Sequence, residues 1–294
     1  RSPFQRPSIL LAPALLTLAA GCATPPHSTG LHQVLGHELN EPARIAVPDY
    51  RCTMGAHRGS SVEHRENTLA ALKAAEEDDR FAFVEFDVQF TRDEQIVVFH
   101  DQRLTRLFGK WRSVGGSTYE DLVRLTDGDI ATYAEAMTAL EKVLNIEIKS
   151  QGDADEDARL ADAVIADLQR RGRLRDVVIS SISADAIAYI SRVYPSVKTG
   201  KIVWLTSSTY MHLESLTRGL YEEARAIGAD YLMLHTANLR NIETLLALKP
   251  RDVTLVFWDF DDRMYLVHKD GGDRLWSDGW WTELGQRWRY YFRR

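Results

Sequence analysis

Short apolar runs with strand character recur along the chain at Thr53–His57, Phe81–Phe90, Ile96–His100, Val143–Ile148, Val177–Ser181, Lys201–Leu205, Tyr231–His235, Thr254–Phe260 and Arg274–Trp276. Between most of them apolar positions recur with helical spacing, at Thr68–Glu77, Ala134–Leu140, Asp157–Arg171, Ala184–Val193, Leu216–Ile227 and Ile242–Leu248. Strand and helix signals alternating at this spacing predict a parallel sheet covered by helices. Nine strand runs are one too many for a closed eight-stranded barrel. The short connection Thr91–Gln95 removes the excess. A parallel crossover needs about a dozen residues or more, so Phe81–Phe90 and Ile96–His100 must form a hairpin. The remaining eight runs predict a (β/α)8 TIM barrel with a β-hairpin extension after the second barrel strand, which brings His100 back to the rim where that strand ends. A doubly wound open sheet is the alternative arrangement.

The ends differ from the middle. Residues 1–22 place Arg1 and Arg6 ahead of an apolar run from Ile9 to Ala20, shorter than the roughly 20 residues a membrane-spanning helix needs. The run suits the core of a secretory signal. Leu18-Ala19-Ala20-Gly21-Cys22 resembles a bacterial lipobox, which implies lipidation at Cys22, a membrane anchor and a cell-envelope location. Ala23 modestly favours the outer membrane in a Gram-negative cell. Residues 23–50, broken by Pro25, Pro26, Pro42 and Pro48, read as a tether. Residues 51–294 then form the barrel domain, and its tail carries Trp281, Leu284, Trp288 and Tyr291, which can share one helical face.

Composition narrows the function without naming it. The 294 residues carry 36 basic and 42 acidic side chains, a net charge of -6, which gives no general field for neutralising nucleic acid phosphates. The mean hydropathy of -0.28 is that of a folded protein and not of a polytopic membrane protein. Cys22 and Cys52 are the two cysteines, too few for a disulfide framework.

Ionisable residues gather where the strand runs end, which is where barrels place their chemistry. His57 and Arg58 follow the first run, Glu85 and Asp87 lie in FVEFDV, His100 and Asp101 follow IVVF, and Glu147 and Lys149 lie in LNIEIKS. Residues two apart in a strand share a face, so Glu85 pairs with Asp87 and Glu147 with Lys149. Three carboxylates from two strands can hold a hard divalent cation, while Arg58 and Lys149 can hold a phosphate beside it. Two histidines can move protons to and from the reacting oxygens. The blander alternative is structural: Glu85 pairs with Arg58 or Lys149, and the histidines are satisfied within the fold.

Taken together, HRGSSVEHRENTLAAL, FVEFDVQFTRDEQIVVFHDQRLTR and LNIEIKS resemble the glycerophosphodiester phosphodiesterase family of metal-dependent barrel hydrolases. The resemblance extends over roughly residues 54–279, through SSISADAIAYISRVYPSVKTGKI, the Trp258 run and GGDRLWSD. It implies that His57 and His100 are the acid–base pair and that Glu85, Asp87 and Glu147 bind one divalent cation, Mg²⁺ or Ca²⁺. It also implies that Arg58 and Lys149 contact phosphate or the transition state. Glu66, Asn67 and Asp101 read as site support and Trp258 as a substrate-facing rim. Two departures stand out: Arg65 replaces the usual Pro before Glu-Asn-Thr, and WDFD at Trp258–Asp261 replaces Trp-Thr-Val-Asn. No large domain is expected after Asp101.

The implied activity is metal-dependent hydrolysis of a glycerophosphodiester to glycerol 3-phosphate and an alcohol. Two alternatives accompany it. A lysophospholipase D-like enzyme would use the same site on a lysophospholipid, and a non-catalytic envelope protein would bind a phosphate ligand without turnover.

Overall fold

Eight strands close on themselves with helices packed outside. In this computed structural model, residues 50–204, 213–235, 238 and 242–269 are described. The signal segment with Cys22, the tether up to residue 49, Arg274–Trp276, GGDRLWSD and the aromatic tail lie outside the described residues. Among the described residues, no helix is long and apolar enough to cross a membrane.

In chain order the elements are β1 (Tyr50–Ala56), α1 (Leu69–Glu77), β2 (Phe83–Phe90), β3 (Ile96–Val98), α2 (Thr105–Phe108), α3 (Tyr119–Leu125), β4 (Ala131–Thr132), α4 (Tyr133–Ala139) and β5 (Val143–Ile148). There follow α5 (Ala154–Arg170), β6 (Val177–Ser181), α6 (Ala184–Val193), β7 (Lys198–Val203), α7 (Leu213–Ala226), β8 (Tyr231–His235), α8 (Ile242–Ala247), β9 (Thr254–Phe260) and β10 (Arg263–Lys269). The expected hairpin is present: β2 pairs antiparallel with β3 through Val88↔Val98, Gln89↔Val97 and Phe90↔Ile96. Lower down, β2 pairs parallel with β1 and with β5.

The closing strand corrects the sequence reading. Barrel closure is made by β10, antiparallel to both β9 and β1, and not by a parallel strand at Arg274–Trp276. Asp261 and Asp262 form the turn, with Asp261 at φ 59° in the left-handed region that Asp tolerates. The stretch after Asp101 holds more structure than the strand and helix signals marked. No large domain is inserted, but α2, α3 and β4 form a small excursion with its own core of Val97, Phe99, Leu104, Val114, Leu122 and Ile130.

Strand alternation separates two kinds of burial. Val84, Phe86 and Val88 of β2 face the helices, in one cluster with Leu160, Val164 and Leu168 of α5. Phe83 points the other way, into the barrel with Val178, Met233, Val256 and Leu266. Since Glu85 and Asp87 have the parity of Phe83, they rise from this apolar plug toward the mouth. Gly55 makes the plug possible, because a Cβ there would lie 2.2 Å from the Phe83 ring. Helix starts follow side-chain capping: Asp153 caps α5 by accepting from Glu156 N–H, and Thr132 with Glu135 forms a capping box on α4.

Candidate active site

The end of β1 turns sharply into the site. His57 N–H donates to the Asp262 carbonyl at 2.8 Å, tying this end to the β9–β10 turn. Arg58 and Gly59 then take left-handed φ values of 61° and 75°. The turn aims the Arg58 backbone N–H at Glu85 Oε2, 2.8 Å away. At Gly59 no side chain fits, because a Cβ would stand 2.6 Å from the Ala71 carbonyl carbon of α1.

Asn67 fixes Asp87 at two points. Its Nδ2 donates to Asp87 Oδ2 at 2.7 Å, and its Oδ1 accepts from the Asp87 backbone N–H at 3.1 Å. Parallel register sets Asp87 opposite Glu147 and Glu85 opposite Asn145. Lys149 Nζ lies 2.9 Å from Asp87 Oδ1 and 2.5 Å from Glu147 Oε1. Carboxylate oxygens of Glu85, Asp87 and Glu147 all fall within 4.8 Å of one another.

The histidines enter from different directions. His57 Nε2 is 4.0 Å from Glu85 Oε2. His100 arrives on the returning arm of the hairpin, where Gln89 Nε2 donates to the carbonyls of Phe99 and Asp101 at 2.7 and 3.0 Å. Its Nδ1 is 2.6 Å from Asp101 Oδ1. Arg106 of α2 completes the support, donating to both oxygens of Asp101 and both of Glu66, and Glu66 accepts from Arg58 Nη1 at 2.9 Å.

A cavity of about 260 Å³ opens over this set. One side is polar, with His57, Arg58, Glu85, His100, Gln102, Asn145, Glu147, Lys149 and Ser150; the other is apolar, with Ile182, Ile202, Trp204, Trp258 and Met264. Trp258 is deeper than a rim residue, 7% exposed, with Nε1 donating to the Met233 carbonyl. The sequence-predicted residues of the site therefore come together, with Glu66, Asn67 and Asp101 just behind the lining. Cys22 lies outside the described residues. Sequence reasoning missed Arg106, Asn145 and Trp204. Asn145 was within reach, since it is two residues from Glu147 on the same strand.

Electrostatics divides the carboxylates. Burial, with Asp87 and Glu147 nearby, raises Glu85 well above the usual carboxylate range. Burial also pushes Glu147 up to about 7, against the opposing pull of Lys149. For Asp87 burial acts the same way, but Lys149, His100 and Arg58 outweigh it and hold the carboxyl well below its ordinary value. Burial lowers His100, helped by Lys149 and Arg58 and opposed by Asp87 and Asp101. A hard divalent cation fits this donor set: the ligands are oxygens, and the like-charge cost on Glu85 and Glu147 is what a cation would relieve.

Residues 57–278 match the model of the glycerophosphoryl diester phosphodiesterase family. The chain is 25% identical over 263 residues to a glycerophosphodiester phosphodiesterase of Bacillus subtilis, covering 76% of this chain and 89% of that protein. It is 42% identical over 86 residues to lysophospholipase D GDPD3 of Homo sapiens, a match that covers 29% of this chain and only 26% of the human protein. A glycerophosphodiester phosphodiesterase from Thermotoga maritima has the same fold, with TM-score 0.54 at 24% identity over 79% of this chain and 89% of that one.

Proposed function

Since the chain belongs to the glycerophosphoryl diester phosphodiesterase family, we propose that its barrel mouth hydrolyses glycerophosphodiesters to glycerol 3-phosphate and an alcohol. The observation that carries this reading is the convergence of Glu85, Asp87 and Glu147 within 4.8 Å, beside two histidines and two cations at one mouth.

In this reading Glu85, Asp87 and Glu147 hold one divalent cation, Mg²⁺ or Ca²⁺. Such an ion supplies positive charge against the phosphoryl oxygens when bound. Arg58 and Lys149 add fixed charge there; burial works against both charges, but Asp87 with Glu66 and Glu85 around Arg58, and Asp87 with Glu147 around Lys149, outweigh it and keep both protonated. His100 is the base: with Nδ1–H given to Asp101, its neutral Nε2 takes the proton of the attacking hydroxyl. His57 is the acid, protonating the departing alcohol oxygen as the P–O bond breaks, and its Nε2 stands 4.0 Å from Glu85 Oε2. The same proton path serves water or the substrate hydroxyl next to the phosphate. In the second case a cyclic phosphate forms first, and water opens it in a second round.

A second reading, lysophospholipid hydrolysis, is favoured by the apolar side of the cavity, where Ile182, Trp204 and Trp258 can meet an acyl-bearing substrate. The test is turnover by the purified full chain on soluble glycerophosphodiesters and lysophospholipids, with Mg²⁺, Ca²⁺ or chelator. Metal-stimulated turnover of the soluble diesters is expected, with losses of about 10²–10⁴-fold in His57→Ala and His100→Ala. Binding without turnover of any substrate would instead leave a phosphate-ligand binder.

We also propose that Cys22 is lipidated and anchors the barrel in the cell envelope, on the strength of the apolar run ending in Leu18–Cys22. Intact mass should show acylated Cys22 as the mature N-terminus; a chain retaining residues 1–21 without acyl mass would refute it.

A further inference from the structure

Beside the mouth, the excursion after Asp101 carries an unusual charge pattern. Residues 102–118 include Arg103, Arg106, Lys110 and Arg112 and no acidic residue, in a chain of net charge -6. Arg106 is neutralised by Glu66 and Asp101. Arg103, Lys110 and Arg112 make no ion pair among the described residues. Between them stands Trp111, 75% exposed, with the Arg103 guanidinium 4.8 Å from its ring centroid.

This tip is held firmly from below. Leu104 and Val114 are fully buried, Leu104 N–H donates to the Arg112 carbonyl at 2.9 Å, and Val114 N–H donates to the Gln102 carbonyl at 3.0 Å. Gly109, at φ 65°, ends α2 and turns the chain toward Lys110 and Trp111. The tip also borders the site: Gln102 lines the cavity, and Arg106 is bonded to Glu66 and Asp101. On the adjacent loop, Arg65 lies over the Phe108 ring of α2, and Val62 is 64% exposed.

An indole left in water on a rigid projection is an unfavourable arrangement that a bilayer interface relieves, because its amphipathic ring suits the headgroup level. Cations around such a ring are drawn to anionic headgroups. A nucleic acid strand fits less well, since it is usually tracked by a groove with several stacking rings, whereas this feature is one ring on a projecting turn.

We propose that the Arg103–Ser113 tip docks the barrel mouth on an anionic lipid bilayer, with Trp111 at headgroup level and Arg103, Lys110 and Arg112 against lipid phosphates. This goes beyond the catalytic reading, because docking is independent of which diester the mouth cleaves.

The test is flotation of the full chain carrying Cys22→Ser and an otherwise wild-type sequence, so that no acyl anchor masks the tip, with phosphatidylcholine vesicles containing or lacking phosphatidylglycerol, together with turnover on a water-soluble glycerophosphodiester. With its wild-type tip this chain should float with the anionic vesicles and release with added salt. Paired Lys110→Glu and Arg112→Glu changes should lower partitioning at low salt by about fivefold or more per charge. Trp111→Ser should lower it separately, while soluble turnover stays at wild-type level in both variants. Equal flotation of wild type and variants would overturn the assignment, since another segment would then carry the binding. So would wild-type flotation that ignores phosphatidylglycerol, or DNA competing off the protein with Trp111→Ser making no difference. Absence of soluble turnover in the wild type would instead count against the catalytic reading and leave the flotation result interpretable.

Discussion

His100 gives its Nδ1–H to Asp101 across 2.6 Å, and this single contact decides which ring nitrogen is left for chemistry. Partial burial pushes Asp101 up, but its bonds to Arg106 and His100 outweigh this and hold the carboxyl below its ordinary value. Asp101→Asn removes a contribution that raises His100, whose pKa burial already lowers. The acid limb of the kcat/KM profile should lie below the ordinary histidine value of about 6.5 in the wild type and move to still lower pH in the variant. kcat should fall on the order of tenfold or more. An unmoved acid limb would take His100 out of the base role.

Arg106 ties the supports of both sides together, since its guanidinium spans Asp101 and Glu66, and Glu66 in turn holds Arg58. A lysine has one ammonium and cannot reproduce this fork. Arg106→Lys should therefore lose kcat nearly as far as Arg106→Ala, with KM for a soluble diester changed less. Full rescue by lysine would show that charge alone is needed there.

The carboxylate cluster should trade stability for metal binding. Glu147 has a folded pKa of about 7, raised above its ordinary 4.5 chiefly by burial. For a carboxylate raised in this way, the folded chain keeps a proton that the unfolded chain loses, so stability falls as pH rises from about 4.5 toward 7. Asp87 is shifted the other way, and its contribution is lost only in more acid solution. With metal chelated, Glu147→Gln should flatten the decline in Tm between pH 5 and 7, and Glu85→Gln should raise Tm near neutrality. Roughly 2–4 °C is expected per kcal/mol relieved. Added Mg²⁺ or Ca²⁺ should raise the wild-type Tm and leave both variants nearly unchanged. A wild-type Tm indifferent to both ions, together with an unchanged pH slope in Glu147→Gln, would remove the metal assignment.

Why some of this was readable in the sequence and some was not follows from the range of the interactions. Glu85, Asp87, Glu147 and Lys149 were legible because strand parity fixes their face locally, and the Thr91–Gln95 connection was too short for anything but a hairpin. The closing strand was missed although a two-residue Asp261-Asp262 turn between WDF and RMYLV is a hairpin signal; every position from Met264 to Val267 is buried, so no polar alternation marks it. Arg106 was hidden for another reason. It sits on a four-residue helix with no periodicity, and its partner Glu66 is 40 residues away. Trp204 gains meaning only from β8 and β9, which bring His235 and Trp258 against it.

Those three rings also predict how the apolar side of the mouth selects its ligand. Trp204, His235 and Trp258 have centroids 4.9, 5.2 and 5.1 Å apart. Rings this close touch one another and leave no room for a quaternary ammonium between them, so they act as a wall and not as a cage. A wall offers contact to an extended apolar group, and Ile182 continues it at the mouth. Trp204 is 54% exposed and lacks a structural load comparable to that of Trp258, which is buried and bonded to the Met233 carbonyl. Trp204→Ala should therefore fold normally and raise KM for a lysophospholipid by about tenfold, the value of roughly 1–2 kcal/mol of lost aromatic contact. KM for a small soluble glycerophosphodiester should change much less, and choline- and ethanolamine-bearing diesters should be affected alike. Trp258→Ala should lower Tm as well as activity. Equal KM increases for acylated and soluble substrates would make Trp204 a general element of the mouth, and a selective loss for the choline diester would mean that the rings open into a cage in solution.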